Sequence, residues 1–278
     1  MAKAYLGSTQ LKKAYIGSTA IKKIYCGPTL IWAGYQDETL AQKARIEADG
    51  GVIIDLEWID LVISTLKTLG IYGNAKLLTD ANFGVKKDIT GAVSKLYDIS
   101  GNNNDAVQTT GASQPIWSLS GGKGIITYDG SDDMLNCASP GISSGSYTIR
   151  SVINPLSTNN YRTIMGSGTT RRLMIASTGN CYFQWGVVIS STIGDVVNGV
   201  TASLSYVHDA TLLYNFIYKD NNNIKSQAFI TYAPFTSAFK IGQYNGVDYK
   251  FKGQINSSTI FNIALTQDQI TTLYNLGL

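Results

Sequence analysis

Tyr147-Thr148-Ile149-Arg150-Ser151-Val152-Ile153 alternates: Tyr147, Ile149, Ser151 and Ile153 occupy one parity, Thr148, Arg150 and Val152 the other. A period of two marks a β-strand with two distinguishable faces. Around it, short apolar runs at 172–175, 182–185, 212–218, 228–232 and 239–241 are separated by clusters of Gly, Asn, Asp or Ser. Many short strands divided by turn signals predict an antiparallel sandwich or barrel from Ala75 onward. A short helix should close the chain. Thr266-Gln267-Asp268-Gln269 matches a capping box, Ile270, Leu273 and Tyr274 share a face, and Gly277 is the stop.

Upstream of Ala75 the pattern is helical. Asp37 is the expected N-cap of a helix through Ala41, Ala44 and Ala48, stopped by Gly50-Gly51. In the next segment Leu56, Ile59, Ile63 and Leu66 fall on one face, ending at Gly70. Trp58, Leu61, Val62 and Leu69 widen that stripe, so the helix reads as buried on most sides.

Over residues 4–33 the chain repeats itself. Ala-Tyr-Leu-Gly-Ser-Thr-Gln-Leu-Lys-Lys from Ala4 returns as Ala-Tyr-Ile-Gly-Ser-Thr-Ala-Ile-Lys-Lys from Ala14 and Ile-Tyr-Cys-Gly-Pro-Thr-Leu-Ile-Trp-Ala from Ile24. Aromatic and branched residues on either side of Gly-Ser-Thr or Gly-Pro-Thr read as two very short strands around a tight turn. Each copy is too short to bury a face alone, so it must stack on neighbours or on another chain. Tyr5, Leu11, Tyr15, Ile21, Tyr25, Ile31 and Trp32 are the expected docking residues. The predicted organisation is an assembly tether over 1–36, a helical spacer over 37–74 and a sandwich over 75–278.

With 278 residues, 44% hydrophobic and 15% charged, the chain can build one large core or two. A net charge of +3 is too small to argue for nucleic acid. No apolar run is long enough to span a membrane, and Gly, Ser and Lys interrupt every early apolar stretch, so no secretory leader is expected. Synthesis in a cytosol follows, with any outside role reached through lysis or a particle. Cys26, Cys137 and Cys181 are odd in number and widely spaced, which indicates neither a disulfide framework nor a zinc site.

Three stretches resemble the concanavalin A-like, laminin-G-like jelly rolls of bacterial and phage surface proteins. They are Leu96-Tyr97-Asp98-Ile99-Ser100-Gly101-Asn102-Asn103-Asn104-Asp105-Ala106 running into Gln114-Pro115-Ile116; Ile126-Thr127-Tyr128-Asp129-Gly130-Ser131-Asp132-Asp133-Met134-Leu135 before Tyr147; and Phe251-Lys252-Gly253-Gln254-Ile255 with Ile260-Phe261-Asn262 and 264–275. They cover the last two thirds of the chain in the expected order. The decapeptides are similar to the short Lys-Lys-(apolar)-Tyr-(apolar)-Gly repeats of virion proteins in crAss-like and related phages of gut Bacteroidales. Together the resemblances imply a head fibre, tail fibre or capsid decoration, usually a homotrimer and less often a dimer.

Some jelly rolls of this class are glycoside hydrolases, which need two carboxylates flanking the bond. Here Glu38, Glu47 and Glu57 all precede the sandwich, and adjacent Asp132 and Asp133 would point to opposite sides of a strand. His208, the sole histidine, has no Gly-x-Ser-x-Gly elbow to serve, and His208-Asp209 reads as a turn. Gly121-Gly122-Lys123-Gly124 lacks the ending of a phosphate loop. No catalytic residue is assigned and no cofactor is expected beyond a structural calcium ion, which the laminin-G resemblance implies near a loop rim. Asp129, Asp132 and Asp133 are its candidate ligands, with Asp195, Asp220 and 221–223 as further oxygen donors. Asp-Gly-Ser-Asp-Asp also reads as a turn whose side chains cap its own backbone.

Carbohydrate recognition needs an aromatic platform with polar neighbours. Tyr161, Tyr182, Trp185, Tyr244 and Tyr249 meet that description, since each lies near Asn, Gln, Asp or Arg. Arg171-Arg172 suits an anion but reads by default as an exposed turn. The expectation is a non-enzymatic head fibre, docked on the capsid through its repeats and displaying a jelly roll towards host or mucosal glycans. A tail fibre or receptor-binding protein, and a bacterial surface glycan-binding adhesin, are the alternatives.

Overall fold

The computed structural model describes residues 5–6, 9–10, 14–16, 19–21, 23–26, 29–156, 161–167, 171–185, 187–192, 194–229, 234–244 and 249–278. Each decapeptide copy is an antiparallel hairpin: β1 (Tyr5–Leu6) with β2 (Thr9–Gln10), β3 (Ala14–Ile16) with β4 (Thr19–Ile21), and β5 (Lys23–Cys26) with β6 (Thr29–Ala33). They form three separate two-stranded sheets. Then come α1 (Asp37–Ala48), β7 (Val52–Ile53) and α2 (Leu56–Thr68).

The sandwich begins with β8 (Ala75–Asp80), β9 (Gly84–Lys87), β10 (Val93–Leu96), β11 (Ala106–Val107), β12 (Ile116–Ser120) and β13 (Lys123–Asp129). It continues through β14 (Leu135–Cys137), β15 (Tyr147–Pro155), β16 (Arg162–Ser167), β17 (Arg171–Ile175), β18 (Cys181–Trp185) and β19 (Val187–Ser190). The last strands are β20 (Ala202–Asp209), β21 (Tyr214–Lys219), β22 (Asn222–Ala228), β23 (Phe239–Ile241) and β24 (Lys252–Phe261), followed by α3 (Gln267–Leu276). One sheet runs β12-β13-β24-β15-β20-β21-β22, with β8 sharing the β13 edge of β24. The other has ten strands in the order β19-β18-β17-β16-β23-β14-β11-β10-β9-β7. All pairings are antiparallel, so the chain is a mainly β, jelly-roll-like sandwich preceded by short β-repeats and helices.

Side-chain alternation divides the interior in two. Leu77, Tyr206, Ile217 and Ile260 face the ten-stranded sheet, with Leu173, Phe183 and Ile241 opposite them. Their chain neighbours Leu78, Val207, Tyr218 and Phe261 point the other way, onto Ile59, Ile63 and Leu66 of α2 and Ile270 and Leu273 of α3. The strand around Tyr147 is therefore buried on both faces, as is Arg150, whose guanidinium donates to the Leu278 carbonyl and to Ser205 Oγ. Segment 37–74 shares this second core with the sandwich.

Several local expectations change. Gln36, not Asp37, is the N-cap of α1, with no side-chain cap. Instead the helix start is tied to α2, because buried Asp60 accepts from Gln36 N (2.7 Å) and Thr39 Oγ1 (2.9 Å). Asp55 caps α2 by accepting from Trp58 N. Leu61 of α2 is exposed. The strand near Ala228 lies earlier, over the polar run Asn222–Ala228, while 230–233 lie outside the described residues. The closing helix follows its sequence signals, with both capping-box bonds at Thr266 and Gln269 and a left-handed Gly277.

The Asp98–Asp105 stretch has a structural account. Buried Asp98 accepts from Leu78 N, Ser100 N, Ser100 Oγ and Asn104 N, folding the loop around one carboxylate. Arg45 of α1 then donates to Asp105 and to the Asp98 carbonyl, fastening the helix to that loop.

Candidate functional site

Strands β16, β17 and β18 carry Met165, Leu173 and Phe183 towards the core. Alternation therefore turns Gly166, Arg172 and Gln184, which lie in one cross-strand row, to the outer face. Arg171–Ile175 is thus a strand, not an exposed turn.

Tyr161, Tyr182, Tyr244 and Tyr249 meet on this face. Tyr161 makes edge contacts with Tyr182 (ring centroids 5.9 Å) and Tyr249 (5.5 Å), and Tyr249 lies 6.5 Å from Tyr244. The Arg172 guanidinium sits 4.8 Å from the Tyr244 ring centre and 5.0 Å from that of Tyr249. Cation–π geometry of this kind favours a fixed arginine. Arg172 Nε also donates to Gln184 Oε1 at 3.0 Å. Trp185 closes β18 opposite Arg171 and Val187.

The platform is graded in exposure. Tyr161 is 39% exposed, Tyr182 and Tyr249 are half-buried, and Tyr244 is buried. Tyr249 holds a left-handed backbone (φ 63°), which a bulky residue adopts only when its surroundings impose it. Its carbonyl accepts from Thr163 N of β16 at 2.8 Å, fixing the ring over the sheet. Gly166 makes room for that packing. A Cβ there would lie 3.0 Å from Tyr244 Cδ2 and 3.1 Å from Thr163 Cγ2.

Beside Gly166 is a cavity of about 140 Å³ lined by Asn136, Ser167, Phe239 and Lys240 among others. Gly166, Lys240 and Asn136 continue the cross-strand row from Arg172. Sequence reading singled out neither Gly166, Lys240 nor Gln184. Their signal was parity with Arg172, usable only once the strand register is known.

The acidic trio lies elsewhere, on the turn after β13. The carboxylate oxygens of Asp129, Asp132 and Asp133 come within 4.8 Å of one another. Asp129 Oδ1 accepts from Ser131 N and Asp132 N, Asp133 Oδ2 from Asp129 N, and Asp132 Oδ2 from Ser113 Oγ. Burial, with the neighbouring Asp129 and Asp132 charges, pushes the Asp133 carboxyl up to about 6. Hard oxygen donors suit calcium, which takes roughly six to eight of them, yet Asp129 and Asp133 already hold the turn and Asp132 ties it to Ser113. Asp195 and Asp220 do not join the trio, and no other such group occurs among the described residues. Asp220 instead accepts from Ser203 N.

His208 lies within β20 and not in a turn. It is buried, its Nδ1 is 2.8 Å from Asn215 Oδ1, its ring stacks on Tyr147, and burial lowers its proton affinity. Among the docking residues, Tyr5, Tyr15, Ile21, Tyr25, Ile31 and Trp32 fall on hairpin strands, and Leu11 lies outside the described residues. Cys137 and Cys181 are free and buried. No helix among the described residues is long and apolar enough to cross a membrane.

No protein-family model matches the chain, and no curated protein does. Its fold is shared. Domain 4 of AbnA, an extracellular arabinanase from Geobacillus stearothermophilus solved with arabinotriose, superposes with a TM-score of 0.52 at 16% identity, covering 72% of this chain and 99% of that domain. The binding domain of Paraclostridial Mosquitocidal Protein 1 gives 0.55 at 12% identity over 73% of this chain. The binding domain of Botulinum neurotoxin serotype D gives 0.55 at 15% identity over 74%. This chain spans about half of each toxin domain, 52% in both cases. At these identities the likeness establishes the β-sandwich fold.

Proposed function

We propose that the chain is a non-enzymatic glycan-binding display module, carried as a homo-oligomer on a phage virion by its N-terminal hairpins. A head fibre on the capsid is the preferred placement, and a tail fibre the neighbouring one. One observation carries the glycan reading: Tyr161, Tyr182, Tyr244 and Tyr249 form one chain of ring contacts on an outer sheet face, and two of them, Tyr244 and Tyr249, hold Arg172. Aromatic rings beside oriented polar groups are what a sugar ring requires. The AbnA domain, of like fold, was solved with a bound arabinotriose. No carboxylate among the described residues bonds to Arg172 in that cluster, whereas hydrolysis would need a carboxylate pair.

The virion placement is supported by the triplicated decapeptide and its resemblance to phage repeats. The bacterial adhesin alternative shares the same sugar face but gives the hairpins no role. Mass spectrometry of purified particles separates the two.

The test is a screen of the intact chain against a panel of oligosaccharides, repeated with Tyr161→Ala/Tyr249→Ala. Loss of two central rings at a binding centre should weaken the bound sugar more than about tenfold. Undiminished binding by this variant would contradict the assignment.

A further inference from the structure

The cross-strand row on the outer face of the ten-stranded sheet runs Gln184, Arg172, Gly166, Lys240, Asn136, Val107, Lys95 and Lys86. Its four cations are not equivalent. Lys95 and Lys86 both bind Asp49, at 2.7 and 3.3 Å, and Lys95 also lies 3.9 Å from Asp105, so both cations at that end have carboxylate partners. Arg172 and Lys240 meet no carboxylate among the described residues. Arg172 is already fixed by Gln184 and by two tyrosine rings. It needs no further ordering to receive a ligand.

Each of these two cations pairs with Gly166, one from either side. They therefore lie two strand spacings apart, about 10 Å between backbones. Both side chains are long, and the residue between them has none. The cavity of about 140 Å³ opens at that position, bounded by Gly166, Ser167, Asn136 and Lys240. It borders the tyrosine platform, since Gly166 is packed under Tyr244.

We propose that the site takes an anionic sugar. Arg172 and Lys240 hold its carboxylate or sulfate across Gly166, while the ring packs on the tyrosines beside them. This rests on the glycan-binding reading and adds the charge class of the ligand. Arginine offers a planar fork of donors for such groups, and lysine a point charge. Two like charges on one face with no carboxylate beside them also repel each other, and a bound anion relieves that repulsion.

Isothermal titration of the full-length chain with three probes tests it: a galacturonic acid hexamer (carboxylate only), a κ-carrageenan hexasaccharide (sulfate only) and maltohexaose (neutral). At least one anionic probe should bind at least tenfold tighter than maltohexaose, with affinity falling as salt rises. Lys240→Gln and Arg172→Gln should each weaken that probe about tenfold, and Arg172→Lys should recover part of the loss. The carboxylate and sulfate arms show which group is held. Maltohexaose bound as tightly as both anions, or anion binding unchanged in both Gln variants, overturns the inference while leaving a glycan site. Failure of all three probes to bind overturns it together with the glycan reading.

Discussion

Asp133 shows how burial and a shared turn set one residue's behaviour. Its carboxyl is pushed up to about 6, chiefly by burial and then by Asp129 and Asp132. An acid whose folded pKa lies above its unfolded value binds its proton first in the native state. Its ionised form therefore opposes folding at neutral pH, and that opposition fades as pH falls from above 6 towards 4. Asp133→Asn keeps the acceptor for Asp129 N and removes the charge. It should be more stable than the parent by about 1 kcal/mol at pH 7, after solvent screening, with the gap closing near pH 4. Urea unfolding at the two pH values measures it, and a gap that widens on acidification would refute the account. The same experiment with calcium bears on the trio's other reading. If the carboxylates only hold their turn, calcium and chelator should leave the midpoint unchanged.

At the scale of elements, α2 is a cover for the sandwich, not a free stalk. Ile63 is fully buried against Leu78 and Phe261, whereas Leu61 on the same helix is 43% exposed. Ile63→Ala should cost about 2–5 kcal/mol and Leu61→Ala less than about 0.5, read from chemical denaturation. Equal losses would mean the helix does not sit on the sheet as described. This helix was legible because its apolar spacing is regular, and α3 because its capping box is explicit. Asn222–Ala228 was not, because a sheet-edge strand needs few apolar residues. Nor was His208, since a histidine before aspartate suggests a turn until Tyr147 and Asn215 are seen beside it. Arg150 marked its parity as polar, but that face is covered from 128 residues away by the chain's last residue.

The whole molecule combines a sandwich with two cores and three hairpins that do not pair with one another among the described residues. Isolated two-stranded hairpins are marginal in water, which favours a partner surface. Removing residues 1–33 should leave the sandwich folded, with its melting midpoint nearly unchanged, and should abolish the proposed self-association, with light scattering of both chains as the readout. A truncated chain that assembles like the full one would detach the repeats from assembly. The tyrosine types were readable from composition and context. Their convergence was not, because it depends on the register that aligns Gln184, Arg172, Gly166 and Lys240 across four strands.

The most direct measurement is a crystal structure of the full chain with an oligosaccharide found to bind in solution. The account predicts a sugar ring against Tyr161 and Tyr249, with a polar or anionic substituent at Arg172. A sugar bound elsewhere, with the tyrosine face empty, would contradict it.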